Sequence, residues 1–263
     1  KEELSIETAL ATGRIELIEH WIQVTEPNSK YGMTATTAAC KAGRLDVLQQ
    51  LQKEGFRWNK YTSEAAARNG HLDCVKYLFE NACPWDVYSL SGAAWNGHLD
   101  ILIFGHENGL EWSADVTNSA ADMGHLECLQ YLHENGCPWD YRVVTNSAVH
   151  NHLPCLQYAL EHGAPIDTAA CTYACSRGNL DALRLMHQHG AQLTASETTE
   201  AASYGKLDVL EYLYQQGCPW TTDATDCAAR ESQAHTLRYA VDNGCPCSED
   251  IVRLAAQSGD LLC

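Results

Sequence analysis

The sequence predicts an all-α protein, a solenoid of stacked helix-turn-helix units, and three observations support this fold class. A Gly-His-Leu-Asp/Glu phrase recurs, small residues stand at a fixed distance before it, and glycines stand at a fixed distance after it. The first two copies are 30 residues apart, and every later pair is separated by 27. Such a period is typical of repeat proteins in which each unit contacts only its neighbours. The ten anchor residues are Gly13, Gly43, Gly70, Gly97, Gly124, Asn151, Gly178, Gly205, Ser232 and Gly259.

The first helix of each unit is predicted to end at the anchor. Ala or Ser stands four residues before every anchor, and Ala, Cys or, once, Leu10 stands three residues before it. A helix that is small along one side can approach its neighbour closely. Its start is predicted by N-cap residues sixteen positions after an anchor, whose side chains accept backbone N–H bonds. These residues are Asn59, Asp86, Ser113, Asp140, Asp167, Thr194, Thr221 and Ser248. Thr194 and Glu197 also have the spacing of a capping box.

The second helix follows the anchor directly. Apolar residues two, four, five and eight positions after it, such as Leu126, Cys128, Leu129 and Leu132, predict a helix of roughly eleven residues. Acids in its first turn suit the positive end of a helix dipole. Glycines at the anchor and twelve residues later can adopt the left-handed conformation that ends a helix. Each unit is therefore predicted to be a helix, a tight turn, a second helix and a Cys-Pro-Trp-Asp corner. The chain shows no strand-like alternation of apolar and polar residues.

Composition excludes several functional classes. The chain has 17 Lys and Arg against 34 Asp and Glu, a net charge of −17, which disfavours binding to nucleic acids or anionic membranes. It has no apolar run of the roughly 18 residues that a membrane span needs, and no signal-peptide pattern. The sequence also lacks a nucleophile elbow, a His-Glu-x-x-His motif, a P-loop and a dinucleotide fingerprint. We therefore expect neither an enzyme nor a cofactor.

Most of the 13 cysteines follow the period. Equivalent positions in successive units should lie roughly 10 Å apart, beyond the limit of about 7 Å between Cα atoms for a disulfide. They are therefore predicted to be free thiols in the core of a protein from a reducing compartment, the cytoplasm or the nucleus. Close Cys or His pairs occur without a second pair at zinc-finger spacing, so no metal site is predicted. A Cys/His metal or redox protein is the third functional hypothesis. Those pairs are Cys171 and Cys175, Cys245 and Cys247, and His187 and His189.

Aromatic residues also recur by period. A tryptophan stands fifteen residues after five anchors, as Trp58, Trp85, Trp112, Trp139 and Trp220. A residue repeated by period usually belongs to the scaffold, so these side chains are predicted to fill the gap between units. The alternative is an aromatic ladder that stacks a ligand. Histidines directly after four anchors, His71, His98, His125 and His152, are predicted to stabilise turns by hydrogen bonding.

The unit resembles the ankyrin repeat. The similarity lies in Ala-Ala-x-x-Gly-His followed by two apolar residues, a Leu and a Gly-Ala/Cys pair, as in the stretch from Ala120 to Cys137, and it covers essentially all 263 residues. The usual ankyrin unit has about 33 residues. About six are missing here, where the family's β-hairpin finger would stand, so we expect abrupt loops. The Cys-Pro-Trp wording resembles a short variant found in ankyrin proteins of amoebae, oomycetes and giant DNA viruses.

The resemblance implies a protein-interaction module whose concave face is formed by the first helices. Residues that vary between units at one position are free for recognition, and the last two positions of the first helix vary. Aromatic residues and Arg dominate interface energetics, which singles out several residues in this row. The predicted partner-binding residues are Trp95, Asp122, Met123, His150, Arg177, Tyr204 and Arg230.

Charge distribution and the chain end lead to the remaining expectations. Residues 77–141 hold ten acids and no Lys or Arg, which favours a basic protein or peptide as the partner. The alternative for these acids is solubility. The chain is expected to form one solenoid over residues 1–263, as a monomer or as a subunit of a hetero-complex. The last unit is truncated, which would expose Leu261 and Leu262, so a longer native chain or a covering partner is expected. A structural subunit of a larger assembly is the second functional hypothesis.

Overall fold

The computed structural model describes residues 6–12, 15–27, 29–85 and 87–257. It divides into two compact units, Lys1–Trp139 and Asp140–Cys263. All regular elements in the described residues are helices, which confirms the predicted all-α class of stacked helical hairpins. The prediction of one continuous solenoid over residues 1–263 stays a prediction. The anchors Gly13 and Gly259, the cap Asp86 and the chain end with Leu261 and Leu262 lie outside the described residues.

Unit 1 contains five helical hairpins within its described residues. Its first helices α1, α3, α5, α7 and α9 pack on one another in chain order, and the second helices α4, α6, α8 and α10 form a looser row beside them. The helices are α1 (Ile6–Thr12), α2 (Ile15–Val24), α3 (Lys30–Lys41), α4 (Leu45–Lys53), α5 (Lys60–Arg68), α6 (Leu72–Glu80), α7 (Val87–Trp95), α8 (Leu99–Glu107), α9 (Ala114–Asp122) and α10 (Leu126–Glu134).

Unit 2 repeats this arrangement over its own described residues. The first helices α11, α13, α15, α17 and α19 pack in chain order, beside the row α12, α14, α16 and α18. Its helices are α11 (Tyr141–Val149), α12 (Leu153–Glu161), α13 (Thr168–Arg177), α14 (Leu180–Gln188), α15 (Ala195–Ser203), α16 (Leu207–Gln215), α17 (Thr222–Arg230), α18 (Ala234–Asp242) and α19 (Ile251–Gln257).

The predicted column of small residues forms the closest packing. Ala66, Ala67, Ala93 and Ala94 are fully buried, which lets α5 and α7 approach each other directly. The second helices contribute the larger side chains, such as Leu78, to the core. Because one side of each first helix is buried in this way, its opposite side is left to face solvent.

Helix ends follow the predicted punctuation, with two differences. Asn59, Ser113, Asp140 and Thr194 cap their helices by accepting a backbone N–H bond, and Thr194 with Glu197 forms the predicted capping box. Asp167 and Thr221 occupy the cap position without such a bond, and Ser248 donates to Asp226 at 2.6 Å, three residues before α19 begins. The second helices from α4 onwards have nine residues rather than eleven, and α2 has ten. In α6 the next residue, Asn81, already has cap geometry.

Candidate protein-binding surface

Solvent-facing residues of the first helices follow a spacing of three and four along each helix. On α5 they include Tyr61, Glu64 and Arg68, and on α7 they include Tyr88 and Trp95. Tyr61 and Tyr88 are each 59 % exposed, and Trp95 is 39 % exposed. Large aromatic side chains held on rigid helices lose little conformational freedom when they bind, which suits an interface.

The predicted residues of unit 1 lie at the ends of these helices. Trp95 is the last residue of α7, and Asp122 is the last residue of α9. Met123 follows as the C-cap of α9 and is 42 % exposed, while Asp122 is half-buried. Trp95 and Asp122 thus occupy equivalent positions on neighbouring first helices, and Met123 lies in the turn beside them.

The predicted residues of unit 2 divide in the same way. Arg177 and Arg230 are the last residues of α13 and α17, whereas His150 and Tyr204 are the C-caps of α11 and α15. All four are exposed. The row therefore mixes helix-end residues with turn residues one position further along the chain.

Histidines beside the anchors join successive repeats of unit 1. The Nε2–H groups of His71, His98 and His125 donate to the backbone carbonyls of Lys41, Arg68 and Trp95, each at 3.1 Å. The accepting carbonyl is thus the end of the preceding first helix, two residues before its anchor. The predicted hydrogen bonding is present, and it connects one repeat to the next. One of the accepting carbonyls belongs to Trp95, a predicted partner-binding residue.

The sequence reading missed a cleft between α5 and α7. It has a volume of about 340 Å³, and its lining includes Tyr61, Arg68, Tyr88, Gly92 and Trp95. Of these residues only Trp95 is among the predicted partner-binding residues, all of which come from the last two positions before an anchor. A signal was available: Tyr61 and Tyr88 are 27 residues apart and occupy the same position of successive repeats.

A second cleft of about 310 Å³ lies between α3 and α5. Its lining includes Thr34, Lys41, Asn59 and Tyr61. Tyr61 borders both clefts, which lie side by side along the first helices of unit 1 and together make up the groove of unit 1.

Acids of the base-free stretch lie mostly away from this groove. Glu80, Glu107 and Glu134 end successive second helices, and Asp100 and Glu127 lie in the first turns of α8 and α10. Among the described acids that this stretch places in unit 1, Asp115 and Asp122 are the two on a first helix. The negative surface is therefore concentrated on the second helices and turns.

The repeated tryptophans are half-buried, as the scaffold interpretation predicts. Trp112 and Trp139 stack on His106 and His133 of their own second helices, with ring centroids 4.5 and 3.9 Å apart. Trp58 instead contacts Tyr77 of the next repeat edge-on. These rings are engaged in contacts within and between repeats, so they belong to the scaffold.

A row of aromatic and polar contacts along the second helices had not been predicted. A residue nine positions after one anchor contacts the residue seven positions after the next anchor. The Nδ1 atom of His106 is hydrogen-bonded to the Tyr131 hydroxyl at 3.0 Å, and His187 is bonded to Tyr212 in the same way at 2.8 Å. The other pairs are Gln52 with Tyr77, Phe79 with Phe104, and Tyr214 with Tyr239. These contacts link successive second helices. Because the paired aromatic side chains contact one another, we do not include them in the candidate binding surface.

The cysteines behave as buried thiols rather than as a chemical site. None of the twelve in the described residues forms a disulfide, ten of them are buried, and Cys247 is exposed. Burial raises the pKa of Cys83 to about 11 and that of Cys137 to about 12. The hydrogen bond with Cys74 raises the pKa of Cys40. In the described ranges, no three His, Cys, Asp or Glu side chains are grouped as a metal ion would require.

Comparison with known proteins identifies the repeat. Ankyrin-repeat family models match residues 6–89 and residues 146–187. The chain contains ankyrin repeats. Its fold is similar to the crystal structure of the human ASB11 ankyrin repeat domain, with a TM-score of 0.53 and 21 % identity over 60 % of this chain and 84 % of that one. No curated protein matches the chain. Ankyrin repeats are in general non-enzymatic protein-interaction modules, and neither family model indicates a catalytic family.

Within the described residues, no helix is both long enough and apolar enough to cross a bilayer.

Proposed function

We propose that the protein is a non-catalytic interaction module that binds a partner protein or peptide on the solvent-facing side of its first helices. The observation that carries the proposal is the exposure of aromatic and Arg side chains at matching positions of successive first helices, above a column of buried alanines. Within each unit the packed column fixes the spacing of these side chains, and a preorganised surface loses less entropy on binding. Trp95, Met123, Tyr204 and Arg230 are the proposed anchors.

Two finer points belong to the same proposal. The repeat is of a short 27-residue Cys-Pro-Trp type, and the free thiols suit the reducing cytoplasm or nucleus. A basic partner would be drawn to the acids of the second helices, so the predicted preference for a basic protein concerns a different surface from the groove of unit 1.

The test is affinity capture with the full chain as bait, followed by mass spectrometry of the retained proteins. The bait is compared with a Trp95→Ala/Tyr204→Ala variant and with a matched control, Glu107→Ala/Glu134→Ala, which changes two exposed second-helix residues. We expect a partner that the aromatic variant loses and the glutamate variant retains.

The alternative, a structural subunit of a larger assembly, gives a different result. A stoichiometric partner that resists high salt and is retained by both variants would favour the assembly. Loss in the glutamate variant alone would move the binding site to the second helices and contradict the proposal.

A further inference from the structure

The groove of unit 1 differs in charge from the rest of the protein. Lys41, Lys60 and Arg68 line it, against Glu7 and Glu64, in a chain whose net charge is −17. Helix α7, which forms one wall, contributes no charged residue. The groove is thus a cationic region on a strongly anionic protein, which would attract negative charge locally.

Arg68 is the cation best placed to recognise a carboxylate. Its Nη2 group donates to Glu64 at 3.1 Å, and the Arg68 side chain remains half exposed. A guanidinium carries five N–H donors, so this single bond leaves others directed to solvent. A second carboxylate arriving from a partner could therefore be bound in the two-pronged geometry that Arg favours.

Gly92 provides the depth of the cleft. It lies in the middle of α7, where glycine destabilises a helix relative to alanine. A Cβ atom at this position would be 3.2 Å from the Arg68 Cβ. Gly92 is itself buried at the floor of the cleft, and its missing side chain leaves space between Arg68 and Trp95, with Tyr61 and Tyr88 beside it. The volume of about 340 Å³ lies at the lower end of small-molecule pockets, which suits one large side chain of a peptide.

We infer that this groove binds an acidic peptide segment that inserts one aromatic or large apolar side chain between Tyr61, Tyr88 and Trp95 while its carboxylates meet Arg68, Lys60 and Lys41. The inference rests on the proposed function and specifies the partner for unit 1. Aromatic rings next to cations also occur in sites for single-stranded nucleic acid. The net charge of −17 repels a polyanion that extends beyond the groove, whereas a short acidic segment contacts the groove alone.

The experiment selects ligands from a phage library of random short peptides on the immobilised full chain. The best peptide is then measured by fluorescence anisotropy against the wild type and single variants. We expect selected peptides to carry acids flanking an aromatic or leucine residue. Trp95→Ala and Tyr88→Ala should each weaken binding at least about tenfold, as for anchor residues at interfaces. Gly92→Ala should also weaken it, because its methyl group occupies the floor of the cleft.

Charge reversal tests the acidic contact directly. Arg68→Glu should weaken the peptide about tenfold, and a peptide with its acid replaced by Lys should regain affinity for Arg68→Glu alone. Tyr31→Ala is the matched control, because Tyr31 is an exposed first-helix tyrosine of the same unit that lines neither cleft. This variant should bind like the wild type. Circular dichroism melting of each variant verifies that it remains folded.

The outcomes separate this inference from the proposed function. Selection of basic peptides would overturn the inference and leave the proposed function standing. The same conclusion would follow if Tyr204→Ala and Arg230→Ala weakened peptide binding while Trp95→Ala did not. Tighter binding of oligothymidine than of any selected peptide would overturn both. Failure to enrich any peptide above the uncoated support would also count against both.

Discussion

The two units use the same repeat but join their repeats differently at the residue that follows the anchor. In three successive repeats of unit 1 that residue is histidine, whereas Arg44 stands there one repeat earlier. His98 donates to the Arg68 carbonyl while its ring lies against Gly70. In unit 2 it changes along the chain. Asn179 donates to the carbonyls of Ala148 and Val149 at 2.8 and 2.9 Å, whereas Lys206 only covers Gly178 with its methylenes.

The last hairpins of unit 2 use a third solution. Gln233 donates to Glu231 in its own turn, and Thr236 supplies the bond between repeats by donating to the Ala202 carbonyl at 2.9 Å. The joint between repeats is therefore a place where the side chain of His, Asn or Thr can donate to a backbone carbonyl at the end of the preceding first helix. In unit 1 three successive repeats use histidine, and the first helices that they join include α3, α5 and α7, which line the groove.

The largest expected effect comes from adding a methyl group beneath the histidine ring. Gly70 has φ of +78°, and a Cβ atom would lie 2.5 Å from the His98 ring, so Gly70→Ala should cost about 3 kcal/mol of unfolding free energy. The equivalent Gly178→Ala has the same backbone strain, at φ +80°, but meets a flexible lysine. It should cost about 1–2 kcal/mol.

Urea unfolding combined with hydrogen exchange resolved by repeat measures this difference. Repeat proteins can unfold in parts, so exchange in α5 and α6 is compared with exchange in α13 and α14. Equal losses in the two variants would mean that the ring contributes nothing beyond the strained backbone.

A smaller effect is expected from removing the joint itself. His98→Ala leaves the Arg68 carbonyl without its bond and uncovers Gly70, so it should cost about 1–2 kcal/mol. Lys206→Ala removes only methylene contacts and should cost at most about 0.5 kcal/mol. The informative third variant is Lys206→His, which should stabilise unit 2 by up to about 1 kcal/mol if the histidine joint is transferable. The same unfolding measurements apply, and destabilisation by Lys206→His would show that the joint depends on its own repeat.

The sequence predicted the parts of this comparison that depend on local chemistry. The period located nearly every helix end, and the small column before the anchors predicted the close packing of Ala66 and Ala93. The sequence did not predict the hydrogen-bond partner of His98. The acceptor is a backbone carbonyl 30 residues earlier, and every residue has such a carbonyl whatever its side chain. The cleft was not predicted for a related reason: Gly92 stands where the two neighbouring repeats have Ala65 and Ser119, and only the structure shows which side chains surround the space that it leaves.

The smallest expected effect is a change in thiol reactivity that reports each unit separately. Cys83 and Cys218 occupy equivalent corners of units 1 and 2, and both are buried. Burial raises the pKa of Cys83 to about 11 and also raises the pKa of Cys218. Because the thiolate is the reactive form, alkylation near pH 8 should proceed only when a corner opens. Cys83 belongs to the repeat whose first helix, α5, accepts the His98 bond, so His98→Ala should accelerate its labelling about five- to tenfold, in line with a loss of about 1 kcal/mol.

Labelling at Cys218 should stay unchanged in His98→Ala, because its corner belongs to the other unit. Mass spectrometry of digested protein after timed alkylation reads both sites in one sample, with exposed Cys247 as the internal standard for reagent. Equal acceleration at Cys83 and Cys218 would mean that the protein opens as a whole, and the histidine joints would then contribute to overall stability rather than to unit 1. Acceleration at Cys83 alone would show that the joint is local, and that the histidine bonds stabilise the repeats of unit 1 that they connect.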